Sequence, residues 1–135
     1  DPELFDAYRK VTIVRNPWDR EVSLYFWHYR GKDKRPSFER FVRMPRFRPQ
    51  RKTFDLFSID RKIVADTILR YETLQDDFSN FVAMLGVPEK LELPKAKGAH
   101  RNKAARNYQE FYSPETQSIV ARRYANEIEL FGYEF

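Results

Sequence analysis

The sequence predicts an α/β fold, a small parallel sheet flanked by helices. Three observations predict it. Lys10 to Val14 is a short β-branched run of the kind buried in parallel sheets. A helix signal follows it at once. A second strand, from about Ala65 to Arg70, again runs into a helix. At 135 residues the chain holds one domain, spanning 1–135, with a real core and little room for a second.

Each element has its own local reason. Asp1 to Arg9 reads as the end of an incoming helix or a linker. Asn16 is a good N-cap and Pro17 suits the first helical position. The helix they open carries Trp18, Val22, Tyr25, Phe26 and Tyr29 at helical spacing, with Gly31 as its terminator. A short helix follows around Pro36 to Met44, with Phe38, Phe41 and Val42 on its apolar face. After the second strand, Thr73 is a candidate N-cap, and Asp76 and Asp77 sit in the first turn, where carboxylates favour the helix dipole. Leu74, Phe78, Phe81, Val82 and Leu85 form that helix's core stripe and Gly86 closes it. Val87 to Ala99 is a loop. Ser113-Pro114-Glu115 opens a last helix whose Val120, Tyr124, Ile128 and Phe131 share one face before Gly132.

Composition excludes several classes. There are no cysteines, so neither a disulfide framework nor a cysteine-bound zinc site is possible. No apolar run approaches the ~20 residues of a membrane span, and no signal-peptide pattern opens the chain; a cytoplasmic setting is the expectation. The net charge of +5 is uneven: Arg30 to Lys52 holds ten basic and two acidic residues, which leaves that stretch at +8 and the remainder at −3. Arg43, Arg46, Arg48, Arg51 and Lys52 lie in it, broken by Pro45 and Pro49. Such a loop suits an anionic nucleotide or an acidic acceptor. It equally suits a solvated surface, or nucleic acid, since Phe47 and Phe54 interleave with the arginines as stacking platforms would.

The stretch from Val11 to Tyr25 carries the chemistry. Arg15 stands at the carboxyl end of a strand, where open α/β sheets bind ligands. Ser23 lies on the helix that follows, roughly 9 Å along its axis from Pro17. A cation, a hydroxyl and a helix N-terminus gathered there suit a phosphate. The plainer readings stand beside this one: Arg15 as a strand-end arginine paired with Asp19 or Glu21, and Ser23 as a small helix residue. His28, mid-helix, reads as structural.

Arg15-Asn16-Pro17, with Arg20 and then Ser23 eight positions after Arg15, resembles the 3′-phosphate-binding motif of sulfotransferases. These enzymes use 3′-phosphoadenosine 5′-phosphosulfate (PAPS) and release adenosine 3′,5′-bisphosphate. The resemblance is nearest the carbohydrate-type branch. It continues through Phe54-Asp55-Leu56, the stretch Ile63 to Phe78, His100-Arg101-Asn102-Lys103, Tyr108, Phe111-Tyr112 and the ending Leu130 to Phe135. It implies that Arg15 and Ser23 bind the 3′-phosphate, that Tyr71 contacts adenine, and that Asn102 and Lys103 belong to a basic loop closing over the phosphates. A core tyrosine and an ordinary exposed loop are the alternatives for those last two assignments.

The resemblance also implies a partial three-layer P-loop-like fold and sulfuryl transfer to a hydroxyl or amine acceptor, with a carbohydrate in view. It implies a nucleotide co-substrate and no metal. One departure matters. No G-x-x-x-x-G-K-[ST] stretch occurs, and only Asp1 to Lys10 precede the first strand. The expectation is therefore the C-terminal part of a catalytic domain, inactive alone, with its catalytic residue unknown and a sheet edge open to homodimerisation. The competing class is a non-catalytic anion- or nucleic-acid-binding module, which steep salt dependence without preference for the bisphosphate would reveal.

Overall fold

A computed structural model describes residues 1–44, 53–88, 91–94 and 107–135. The basic residues Arg46, Arg48, Arg51 and Lys52 lie outside them, as do Asn102 and Lys103. The chain divides into two compact units, Asp1–Arg15 with Lys52–Pro94 and Asn16–Arg51 with Lys95–Phe135.

The first unit is built on a parallel strand pair. β1 (Val11–Val14) and β4 (Thr67–Arg70) run side by side in the register Val11 to Thr67, Thr12 to Ile68, Ile13 to Leu69 and Val14 to Arg70. Asp66 locks the start of that register. Its Oδ2 accepts from the Lys10 backbone N–H at 2.7 Å and from Lys10 Nζ at 3.0 Å, while the Asp66 and Thr67 N–H groups donate to the Lys10 carbonyl oxygen. The other end is pinned by Asp77, whose Oδ2 accepts from the Arg70 N–H at 2.6 Å. α1 (Pro2–Ala7) precedes β1, capped by the Asp1 side chain on the Glu3 N–H, and buries none of its residues.

Between the paired strands the chain forms a 3-10 turn at Phe54–Leu56 and a small antiparallel hairpin, β2 (Ser58–Ile59) with β3 (Lys62–Ile63). The hairpin turns through Asp60 and Arg61, both at positive φ, 48° and 64°. Two residues in that region give the backbone twist that matches paired strands. β4 leads through a 3-10 turn, Tyr71–Thr73, into α4 (Leu74–Met84), which packs on β4 and buries Val82.

One expectation needs correction here, and one cap works differently from its sequence signal. The Lys10–Val14 run is a strand, but not one buried on both faces: Val14 is buried while Val11 is 39 % and Ile13 55 % exposed. Val11 and Ile13 share one face of the strand and that face stays exposed, while Val14 lies on the other. Thr73 occupies the N-cap of α4 without a side-chain capping bond. The preceding 3-10 turn instead delivers the chain into the helix, with the Leu74 N–H donating to the Tyr71 carbonyl oxygen.

The second unit is helical and aromatic. α2 (Pro17–His28) begins as its sequence dictates: Asn16 Oδ1 accepts from the Trp18 and Asp19 N–H groups, and Pro17 follows. It ends at His28, three residues before Gly31, with Tyr29 as C-cap. α3 (Phe38–Arg43) is capped by Ser37 on the Arg40 N–H. Tyr25 sits at the centre of a ring cluster with Phe26, Tyr29, Phe38 and Phe41, at centroid separations of 5.2–5.6 Å. Its hydroxyl donates to the Pro36 carbonyl oxygen at 2.8 Å, so burial that pushes the phenol's pKa up also leaves it a partner. Phe135 receives Trp18, Tyr108 and Tyr112 in edge contacts.

The last helix is broken. Instead of one helix through Val120, Tyr124 and Phe131, α5 (Pro114–Arg123) stops and α6 (Ala125–Phe131) starts at Tyr124. α5 opens with a capping box between Ser113 and Thr116. The break turns Tyr124 into the core, where its hydroxyl donates to Glu21 Oε1 at 2.7 Å. Glu21 is fully buried on α2 and also accepts from Arg123 Nη1 at 3.1 Å, while Arg123 Nη2 donates to the Val42 carbonyl oxygen. A carboxylate without exposed surface is tolerated only when so supplied with donors. Arg20 lies over the Tyr124 ring at 4.3 Å and pairs with Glu127 at 3.4 Å. No helix among the described residues is long and apolar enough to cross a membrane.

Candidate functional site

Arg15 is the first residue after β1 and Tyr71 the first after β4. Because Val14 and Arg70 are partners in the parallel register, Arg15 and Tyr71 stand level at the carboxyl ends of neighbouring strands. Their side chains meet: the Arg15 Cζ lies 4.0 Å from the centroid of the Tyr71 ring. Tyr71 is 48 % exposed and Arg15 half-buried, so both line a surface and neither is a core residue. A cation over a tyrosine face is worth about 0.5–2 kcal/mol, more as water is excluded. The guanidinium carries its five N–H donors in its own plane, so a contact through its face is compatible with two-pronged hydrogen bonding to an oxyanion at its edge.

The surroundings of this pair are fixed by polar contacts. The Asp77 carboxylate holds the Arg70 N–H immediately before Tyr71. At the opposite end of the strands, the Lys10 backbone N–H and then its ammonium hold the Asp66 carboxyl below its usual range, so Asp66 stays ionised and the strand start stays locked.

Ser23 lies on α2 in the second unit, half-buried, between the buried Val22 and the ring cluster's Tyr25. Asn16, between Arg15 and α2 in sequence, is spoken for: its Oδ1 caps the helix and its Nδ2 donates to the Glu134 carbonyl oxygen at 2.8 Å and to the Tyr108 hydroxyl at 3.4 Å. Glu21, a possible partner for Arg15 on sequence grounds, gives its carboxylate to Arg123 and Tyr124. His28 packs edge-on against Tyr29.

Asn102 and Lys103 lie outside the described residues, so the structure brings together Arg15 and Tyr71 from the five candidates. Sequence reasoning treated those two as separate contacts; the signal joining them is that each directly follows a strand. Of Arg43, Arg46, Arg48, Arg51 and Lys52, Arg43 is among the described residues, and it ties Glu39 to Glu115 with ion pairs of 3.0 and 2.7 Å. No group of three or more metal-ligating side chains occurs among the described residues.

Comparison with known proteins gives the arrangement a context. A profile described as the Sulfotransferase family matches residues 1–134. An uncharacterised protein of Archaeoglobus fulgidus is 29 % identical over 101 residues, covering 67 % of this chain and 78 % of its own length. No solved structure matches.

Proposed function

The chain belongs to the sulfotransferase family, and from that premise we propose that residues 1–135 supply the 3′-phosphate and adenine side of a PAPS site. The sulfuryl group would pass to a hydroxyl or amine acceptor, with a carbohydrate as the acceptor class we favour. The observation that carries this reading is Arg15, stacked on Tyr71 where two parallel strands end. A permanently charged, half-buried guanidinium beside an exposed aromatic ring fits a ligand that joins an anionic phosphate to a flat base.

In this reading Arg15 holds the 3′-phosphate, with Ser23 as a second donor, and the bound nucleotide brings an activated sulfuryl group. In-line transfer builds negative charge on the leaving phosphate oxygen, and donors aimed there lower the barrier. The sequence carries no G-x-x-x-x-G-K-[ST] stretch. We therefore assign these residues to holding and orienting the nucleotide, and none of them to proton removal from the acceptor. Binding of adenosine 3′,5′-bisphosphate without turnover is the behaviour expected of residues 1–135 by themselves.

Calorimetry with that bisphosphate tests the assignment. A charge-assisted hydrogen bond is worth about 1.5–3 kcal/mol, so Arg15→Ala should bind about 10- to 150-fold more weakly than wild type. Equal affinity in the two proteins would remove Arg15 from the site.

A further inference from the structure

We propose that the end of α2 and the segment after it, Trp27 to Arg35, form a docking surface for a bilayer rich in anionic lipid headgroups. The inference is independent of the nucleotide reading above. Arg30, Lys32, Lys34 and Arg35 stand there against a single acid, Asp33. Lys10, Arg20, Arg43 and Arg123 each reach a carboxylate. Among the described residues none of the four cations after α2 does so, and three of them rest on aromatic rings instead. The Arg30 Cζ lies 3.4 Å from the centroid of the Trp27 ring, the Arg35 Cζ 5.3 Å from that of Phe26 and the Lys32 Nζ 5.1 Å from that of Tyr29. A ring steadies a cation without neutralising it, so the charge stays available to an outside anion. The partial negative charge at a helix C-terminus, about half an elementary charge, balances less than one of the four.

The arrangement of the charges and Trp27 together select the occupant. At about 100° per residue, Tyr29 falls roughly 60° to one side of Phe26 around the helix axis and Trp27 about 100° to the other. The cations on these rings are therefore splayed round the helix end and not set in a row. A linear polyanion, with charges at fixed intervals, is matched by a row, whereas mobile lipid headgroups need no fixed spacing. Trp27 is 40 % exposed on the last turn of α2, while Trp18 is buried. An exposed indole among arginines and lysines is the composition of a membrane–water interface, with the ring at headgroup level and the cations on phosphates.

Sedimentation of residues 1–135 with vesicles tests this. At about 0.15 M salt the chain should bind vesicles of phosphatidylcholine and phosphatidylglycerol in equal parts, and not vesicles of phosphatidylcholine alone; about 1 M salt should release it. Lys32→Gln with Lys34→Gln should unfold at the wild-type temperature yet partition about 30-fold more weakly, at roughly fivefold per charge. On the mixed vesicles the tryptophan emission should shift to the blue. Trp27→Phe should abolish that shift, because Trp18 is buried already.

No binding to the mixed vesicles, equal binding to both kinds, or unaltered partition in the double variant would overturn the inference. Vesicle binding with unshifted wild-type emission would overturn it by placing the contact elsewhere on the chain. Displacement from the mixed vesicles by heparin or single-stranded DNA at equal charge would overturn it too, and assign the segment to a polymer.

Discussion

The helical unit and the strand-paired unit are stabilised by different means. In the helical unit, Val22, Phe41, Val42 and Val120 expose no surface, aromatic rings meet edge to face, and a buried carboxylate is satisfied by an arginine and a tyrosine. In the strand-paired unit, Ile13 and Val11 face outwards, α1 buries nothing, and the strand pair is held at its two ends by Asp66 and Asp77. Arg15 and Tyr71 belong to the strand-paired unit. A surface that must accept a ligand cannot be covered by core, so its geometry comes from backbone pairing and carboxylate pins. On the proposed reading, stability and recognition fall to different parts of the chain.

Glu21→Ala challenges this contrast most severely. It strips the Arg123 guanidinium and the buried Tyr124 hydroxyl of their shared acceptor, and removing one partner of such a set costs about 3–5 kcal/mol. Thermal or denaturant unfolding should register that loss, and a change within a few tenths of a kcal/mol would show that the helical unit does not depend on its buried carboxylate. Asn16→Ala comes next. Losing an N-cap costs about 0.5–2 kcal/mol, and the lost bond to the Glu134 carbonyl oxygen places this variant towards the upper end.

The smallest effect belongs to the strand pair and depends on pH. Asp66 has its carboxyl held below the unfolded value by Lys10, so its contribution is fully present above the unfolded pKa of about 3.9 and fades as pH falls through the lower folded value. Asp66→Asn should therefore unfold at a lower temperature than wild type at pH 7, and the two curves should converge in the acid range below about pH 4. A gap that persists undiminished at low pH would mean that the carboxylate's charge is not what locks Lys10.

Much of this fold was legible because local chemistry announced it. Asn16-Pro17 opens α2 as a cap and a first-turn proline must, and Ser113-Pro114 opens α5. The parallel strand pair followed from β-branched runs leading into helices. The break at Tyr124 was hidden because Val120, Tyr124 and Phe131 keep helical spacing across it, and the contact Tyr124 makes there is with Glu21, far away in sequence. The β2–β3 hairpin was hidden for a different reason: Asp60 and Arg61 adopt positive φ without a glycine to advertise it. Arg15 was legible as a strand-end cation. Its contact with Tyr71 was not, since it depends on the register, and register is a property of two strands that neither contains alone.

The division of the chain between its units bears on how it folds. Each unit is assembled from two separate stretches, and the chain passes from one unit to the other within the peptide bond joining Arg15 to Asn16. Neither can be excised by cutting once, and β1 must wait for β4 to emerge before it has a partner. Pairings of such long sequence separation are slow to form, because the intervening loop must close before any contact rewards it. On the nucleotide reading proposed above, affinity for adenosine 3′,5′-bisphosphate gained during refolding would report the moment at which the two strands come into register, and the long stretch between them predicts that this comes late.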